Sequence, residues 1–536
     1  MINNPILPGF YPDPSICRVE DDFYIVTSSF SFFPGVPIFH STDLVHWEQI
    51  GNVLDRTSQL ALNPGYISGG IYAPTIRYHN GTFYMITTNV SHGGNFIVTA
   101  KNPEGPWSEP HWVESAEGID PSLFWDDDGK VYYTGTTGNG YKTPMIWISE
   151  LDLNEFKLVG EKKNIWGGAL VNCASPESPH MYKKDGWYYL MISEGGTEFY
   201  HAVTVSRSKN IFGPYEGCPG NPILTHRHLG MYYPICNVGH ADLVQLKDGS
   251  WYMVMLGSRI YGGYHKNMGR ESFIAPVTWE NEWPVVSPGT GRVEWTYPAP
   301  ALPQTPETAV PKRDNFDKDI LDYQWNFLGT PVNDVYKLED SKLKLRTNTK
   351  QICPEDSTDV WRTFAPVEAL SFVGRRQQHM SYIVKACMTF TPVLPKESAG
   401  LIILQNLYHS IRVEMLMENC KRVLRVIKGY VQLDTYLCHN YTDKAEYHQE
   451  MCNQVEWDSE SVIFVLKAEN QNNSFYAIDN SGKQHIIAEN IDGSFLGSEV
   501  SGGFIGAYIG MFASGNPSDA EKYAEFDWFE YEGFNL

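Results

Sequence analysis

The chain has 536 residues, of which 42% are hydrophobic, 19% charged and 14% aromatic, a globular composition too long for one ordinary core, so two or more domains are expected. Its 41 basic and 63 acidic side chains leave a formal charge of -22, which repels nucleic acid and anionic membranes and argues against both as partners. No apolar run approaches the roughly 20 residues that span a bilayer, and the opening "MINNPILPGF" has neither the basic nor the apolar stretch of a signal peptide. Nine cysteines, without a C-x-x-C pair or zinc-type spacing, read as reduced thiols packed as small hydrophobes, which places the protein in the cytoplasm.

Near the N-terminus, "YPDPSI" sets Asp13 between two prolines, which restrict the local backbone and bias Asp13 toward extended geometry. Alone this is an ordinary turn. The same frame recurs downstream. Long helical periodicities are scarce, and short aromatic and β-branched runs bounded by Gly, Asp and Asn predict an all-β chain. Five segments share one shape: "DDFYIVTSS", "NGTFYMITT", "DGKVYYTGT", "DGWYYLMIS" and "DGSWYMVML". Each is a polar turn followed by a strand with a tyrosine near its start, at Tyr24, Tyr84, Tyr132, Tyr188 and Tyr252, spaced by 60, 48, 56 and 64 residues.

Such turns close hairpins, so a strand is expected before each: "DPSICRV", "APTIRYH", "DPSLFWD", "ESPHMYK" and "HADLVQL". Counting back 11 or 12 residues from the tyrosines reaches Asp13, Ala73, Asp120, Glu177 and His240. Four of these five positions carry titratable side chains in register. Five units of this length predict a five-bladed β-propeller over residues 1–296, whose first strands line the axis and gather the register residues at one end. The "DDDG" from Asp126 to Gly129 lacks the remaining ligand positions of a calcium loop and reads as a turn. Residues 297–313 carry a run of prolines and read as a linker. From 314 to 536 apolar and polar residues alternate, as in "KLKLR", "IRVEM" and "SVIFVLKAE", which predicts a β-sandwich of jelly-roll type.

Two carboxyl groups flanking a glycosidic bond are the usual requirement for its hydrolysis, one ionised and one protonated. A third carboxylate nearby favours the protonated form of the acid. Asp13, Asp120 and Glu177 supply such a set, with the longer Glu177 as the natural acid. This chemistry requires no cofactor.

The motifs "NPILPGFYPDPSI", "FFPGVPIFHSTDLVHW", "GIDPSLFWDDDG", "SPESPHMY", "VGHADLV", "GRESFIAPVTWENEWPVV" and the terminal "GAYIGM" and "AEFDWFEY" resemble those of glycoside hydrolase family 43, in particular its two-domain β-xylosidases and α-L-arabinofuranosidases. The resemblance covers essentially the whole chain and implies a five-bladed propeller followed by a sandwich. It implies Asp13 as general base, Asp120 as pKa-modulating aspartate and Glu177 as general acid of an inverting enzyme. It further implies that Arg270 contacts the sugar and that Phe32, Tyr72 and Tyr508 border the pocket, with Tyr508 reaching over the propeller mouth to make the enzyme exo-acting. His240 matches an axial histidine that touches the substrate side or holds a structural calcium ion through water; a core histidine is the other reading. Two departures adjoin the sugar: Tyr72 stands where the xylosidases usually have tryptophan, and "SPESPH" replaces E-G-P-H.

The expected activity is release of xylose from the non-reducing ends of β-1,4-xylo-oligosaccharides, a pentose-containing substrate. Removal of arabinose side chains, or both activities, stays open, as does assembly into a homo-oligomer. The invertase-like propellers are disfavoured because their W-x-N-D-P-N-G, R-D-P and E-C segments are missing. A non-catalytic carbohydrate-binding protein is the reading from another class; it has no need of three converging carboxylates.

Overall fold

The computed structural model describes residues 1–536 apart from 138–143, 172–173, 307–309, 333, 353–356, 362–365, 368–369, 395, 433–443, 516–520 and 535–536. Five antiparallel sheets follow one another along the first half of the chain. Blade 1 is built of Ser15–Val19, Asp22–Val26, Gly35–Ser41 and Glu48–Leu54, and blade 2 of Thr75–His79, Thr82–Asn89, Gly94–Ala100 and His111–Trp112. Blade 3 contains Ser122–Trp125, Val131–Thr136, Ile146–Asp152 and Lys157–Leu158, with Lys163–Trp166 also paired to its third strand. Blade 4 contains Glu177–Lys184, Trp187–Glu194, Ala202–Ser208 and Glu216–Gly217; blade 5 contains Ile235–Gln245, Trp251–Arg259, Glu271–Glu280 and Trp283–Val286. The first strands of successive blades touch all the way round, blade 5 against blade 1. The ring is therefore closed, and it is the expected five-bladed propeller.

The opening hairpins form because their turns tolerate left-handed backbone. Asn80 and Gly81 sit at φ of 47° and 74°, and Asp185 and Gly186 at 51° and 76°, the pattern of the tight two-residue hairpin turn. The ladder corrects one register. Tyr24, Tyr84, Tyr132 and Tyr252 lie opposite Cys17, Arg77, Phe124 and Val244, each four residues after its ring position. In blade 4 the tyrosine opposite the corresponding residue, Tyr182, is Tyr189 rather than Tyr188. Ser178 is thus the fourth spoke, and Glu177 stands one residue ahead of it. Backbone geometry agrees: Asp13, Asp120, Ser178 and His240 have φ of 56°, 55°, 58° and 46°. The flanking prolines therefore do not hold Asp13 extended; it adopts a left-handed conformation, which Asp tolerates better than most residues and which costs about 1–3 kcal/mol.

The second half is a sandwich. One sheet runs in the order Tyr336–Glu339, Lys342–Arg346, Tyr523–Phe534, Ser381–Thr389, Ser461–Glu469, Asn472–Ile478 and Gln484–Asp492. The other runs Ser357–Trp361, Lys444–Glu456, Lys421–Gln432, His409–Glu418, Ser398–Asn406, Tyr508–Ser514 and Phe372–Arg376. Alternate residues such as Leu343, Leu345, Ile411, Val413, Met415 and Phe464 fill the space between them, as the period of two requires. The propeller and the sandwich are joined by backbone pairing of Phe32–Phe33 with Phe327–Leu328 and of Gly65–Tyr66 with Pro366–Val367. Ala507 N donates to Asn267 O at 2.7 Å, and a Cβ on Gly506 would lie 2.4 Å from Met268 O, so only glycine permits this approach.

Below the ring of spokes lies a second buried layer. Asp242 on blade 5 accepts from Ser15 Oγ at 2.7 Å, Arg77 at 2.8 Å and Tyr182 Oη at 2.7 Å. Arg77 and Ser122 Oγ also approach His180 Nδ1 at 2.9 and 3.1 Å; since a guanidinium only donates, Nδ1 is the acceptor. All five first strands are thereby tied, because Thr75 Oγ1 donates to Pro121 O at 2.8 Å. Burial alone would raise the Asp242 carboxyl, but Arg77 and its other partners hold it far below the ordinary aspartate value of 3.8. Asp242→Asn should cost about 3–5 kcal/mol in chemical denaturation at neutral pH, because it leaves Arg77 charged and unpaired. A lowered carboxyl stabilises the fold above its unfolded value and loses that contribution as pH falls through its folded value. The difference between wild type and variant should accordingly shrink below pH 3.8; a constant difference would rule out the ionised pair.

Candidate active site

The spokes place three carboxyl groups at the N-terminal ends of the axial strands. Asp13, 4% exposed, precedes the first strand of blade 1 and is the most heavily compensated. Arg270 Nη1 donates to its Oδ1 at 2.8 Å, Ser28 Oγ donates to its Oδ2 at 2.5 Å, and His240 Nδ1 lies 3.6 Å from Oδ1. Burial pushes this carboxyl up, but Arg270, His240 and Ser28 together outweigh it and hold Asp13 below the ordinary aspartate range. Asp13 is ionised.

Among the described residues, no cation stands at hydrogen-bond distance from Asp120 or Glu177. Burial, reinforced by the negative charge of Asp13, raises Glu177 to about 7, with Arg270 opposing. Burial and then the neighbouring Glu177 and Asp13 raise Asp120 well above its ordinary value. The charges of Glu177 and Asp13 act on Asp120, and that of Asp13 on Glu177, so the pair retains at least one proton through the range in which Asp13 has lost its own. Glu177 is aimed by a ladder irregularity between Glu177 and His180, a bulge that re-orients the side chain at the strand's start.

Arg270 precedes the third strand of blade 5 and is 7% exposed. Besides Asp13, its Nη1 reaches Thr197 Oγ1 at 3.0 Å, and its Nη2 donates to Phe504 O of the sandwich at 3.1 Å. The guanidinium carbon lies 5.4 Å from the Phe30 ring centre and 5.8 Å from that of Phe504, within cation–π range. Tyr72 joins this group: its ring is 5.1 Å from Phe30 and 6.2 Å from Phe504, and its hydroxyl donates to Ser68 O at 3.1 Å.

Two expected wall residues lie elsewhere. Phe32 and Tyr508 are both 0% exposed and stack on each other with centres 3.8 Å apart, inside the apolar cluster between propeller and sandwich. Neither presents surface to a sugar. Phe30 and Phe504 occupy the neighbourhood of Arg270 instead. In "SFSFFPG" the alternation could not say which phenylalanine faces the axis, because Phe30 has a left-handed φ of 48° that breaks the period of two. Ser28 and Thr197 were also missed, and nothing in their local sequence marks them.

His240 donates its backbone N–H to Ser193 Oγ at 2.6 Å, and burial lowers its imidazole so that it is neutral at pH 7. Calcium takes 6–8 oxygen ligands. Here Asp13, the nearest carboxylate, already spends its oxygens on Arg270 and Ser28, and no group of three or more His, Cys, Asp or Glu among the described residues is placed to hold an ion. The protein donors do not by themselves make a calcium cage, and no step below is routed through a metal. The "DDDG" segment is a turn, with Gly129 N donating to Asp126 O at 3.1 Å and Asp126 ion-paired to Lys183 at 2.5 Å.

Comparison with known proteins bears on this arrangement. The model described as glycosyl hydrolases family 43 matches residues 2–284, and that of the beta xylosidase C-terminal concanavalin A-like domain matches residues 313–532. A xylosidase/arabinosidase of Butyrivibrio fibrisolvens is 46% identical over 99% of both chains. A non-reducing end alpha-L-arabinofuranosidase of Bacteroides ovatus is 37% identical over 98% of this chain and 94% of its own. The solved structure of a xylan beta-1,4-xylosidase from Bacillus halodurans superposes with a TM-score of 0.88 at 34% identity, covering 99% of this chain and 100% of that one. With half the chain matched by the family model and the remainder by its companion domain, the protein is a glycoside hydrolase of family 43.

Proposed function

We propose that the protein is an exo-acting, inverting hydrolase that releases xylose from the non-reducing ends of β-1,4-xylo-oligosaccharides, with arabinofuranoside cleavage as a second activity of the same pocket. The observation that carries this reading is that carboxyls brought together on the propeller axis are displaced in opposite directions: Arg270 and Ser28 bond Asp13 and hold it low, while Asp120 and Glu177 are raised. Asp13 takes a proton from the water that attacks the anomeric carbon, while Arg270 and Ser28 keep its oxygens aligned. Glu177 gives its proton to the departing glycosidic oxygen. Asp120 shares the proton of this pair with Glu177; with the proton on Glu177, the negative charges of Asp120 and Asp13 both favour the protonated acid. Arg270 and the Phe30, Tyr72 and Phe504 rings bound the sugar. The dual specificity is supported by relatives named for each activity, and by Tyr72, whose smaller ring adjoins the pocket where a tryptophan is usual. Unpaired cysteines among the described residues fit a cytoplasmic location for this work.

Initial rates on 4-nitrophenyl β-D-xylopyranoside and 4-nitrophenyl α-L-arabinofuranoside at equal concentration test the reading. Turnover of the xyloside at a rate equal to or above the arabinoside is expected; turnover of neither would return the protein to the carbohydrate-binding class. Glu177→Ala should lower the rate on xylobiose by about 10²–10⁴-fold and spare the nitrophenyl glycoside more, since that leaving group needs little protonation. Asp13→Ala should lose both substrates alike. kcat/KM should rise as pH climbs through the depressed Asp13 value, because the base must be ionised, and fall through about 7 as Glu177 loses its proton.

A further inference from the structure

Arg270 is held from three sides, and one of those sides leads to a buried ion pair that the hydrolytic chemistry does not use. Lys266 lies four residues before Arg270 in the blade 5 loop, and its side chain is 1% exposed. A lysine this deep is expensive unless its charge is met. It is met by Glu198, from the loop of blade 4 between Trp187–Glu194 and Ala202–Ser208. The same loop carries Thr197, the preceding residue, whose Oγ1 accepts from Arg270 Nη1 at 3.0 Å. Burial disfavours the Lys266 ammonium, but Glu198, with Tyr264 and Cys236 nearby, keeps it charged.

Two further contacts make this a clamp. Asn237 Nδ2 on blade 5 also donates to Glu198 Oε2, at 3.3 Å. On the other side of the Lys266 backbone, Glu499 in the short sandwich helix Ser498–Ser501 accepts from Lys266 N at 3.1 Å and pairs with His265 Nδ1 at 2.9 Å. The blade 5 loop is therefore gripped by one carboxylate from blade 4 and another from the sandwich, and Arg270 is its next functional residue.

We propose that the Lys266–Glu198 ion pair is a positioning device: it locks the blade 4 loop against blade 5 so that Thr197 and Asp13 share Arg270 Nη1 in one geometry. Neither Lys266 nor Glu198 contacts the carboxylate ring directly; both act through Thr197 and Arg270. The inference rests on Asp13 as general base and adds the residues that set its charge partner. The charged and titratable groups facing Asp13 are Arg270, His240 and His201, with Glu177 and Asp120 across the ring. The clamp reaches Arg270 through Thr197 and also holds His201, whose backbone N–H donates to Glu198 O at 2.9 Å and whose Nδ1 lies 2.9 Å from Asn237 O. Loosening it therefore weakens the largest opposing influence on that carboxyl, Arg270, together with the smaller one of His201.

Glu198→Gln keeps the shape and removes the charge, Lys266→Met removes the ammonium, and Thr197→Val removes the acceptor alone. In the full-length protein each should reduce kcat/KM by about tenfold and move the acid limb of its pH profile upward by about 0.5–1 unit, as Asp13 loses support from Arg270. The alkaline limb set by Glu177 should stay in place. The Glu198→Gln, Thr197→Val double variant should be no worse than the more damaging single, since both break one path, and Thr197→Ser should restore the acid limb. A folded Glu198→Gln or Thr197→Val protein with a wild-type acid limb, whatever its melting temperature, would overturn the clamp. If Lys266→Met fails to fold, those two milder variants still decide. Retained activity in Asp13→Ala is a separate result, which removes the general-base reading itself.

Discussion

The buried contact between Arg270 and Asp13 is the constraint on which the rest of the molecule depends. A carboxylate 4% exposed cannot stay ionised without a cation and hydrogen bonds to replace lost water. The cation must itself be held, and Arg270 also donates from Nη1 to Thr197 of blade 4 and from Nη2 to the Phe504 carbonyl of the sandwich, while its buried Nε is left without a partner among the described residues. A single guanidinium thus joins blade 1, blade 4, blade 5 and the second domain. The sandwich thereby takes part in the site: its Phe504 carbonyl accepts from Arg270 and its Phe504 ring lies 5.8 Å from the guanidinium.

Burial raises all three carboxyls, yet their protonation diverges. Asp13 has a cation at 2.8 Å; Asp120 and Glu177 have mainly each other and the charge of Asp13. One environment therefore yields an ionised and a protonated carboxyl, the pair that the proposed base and acid require. The division follows from where the blade 5 loop delivers its arginine, which is why the loop's anchoring matters. Four of the five ring positions, Asp13, Asp120, Ser178 and His240, have left-handed backbone, and in the layer beneath them Arg77, Ser15, Tyr182 and His180 tie the first strands together around Asp242.

Much of this was legible in the sequence. The hairpin turns and their following tyrosines announced five blades, because the turn chemistry is local and each blade repeats it. Asp13 and Asp120 were legible for the same reason, each in a D-P-S frame. Glu177 was legible through its place in "SPESPH", but its register was read one residue off, since paired tyrosines at 188 and 189 made two countings possible and the bulge after Glu177 hid the choice. Phe32 and Tyr508 were misplaced because a one-residue shift in a strand exchanges its faces, and a positive φ at Phe30 supplies such a shift. Phe504, Thr197 and the Lys266–Glu198 pair join residues remote in sequence, and no local pattern could reveal them.

The stereochemistry of the first product tests the role of Asp13 most directly. Hydrolysis of 4-nitrophenyl β-D-xylopyranoside followed by proton NMR within the first minutes, before mutarotation, distinguishes a single displacement by water from a double displacement through the enzyme. If Asp13 activates water, the α-anomer of xylose appears first and the β-anomer grows in later. Initial appearance of the β-anomer would contradict the assignment and make one of the three carboxylates a nucleophile.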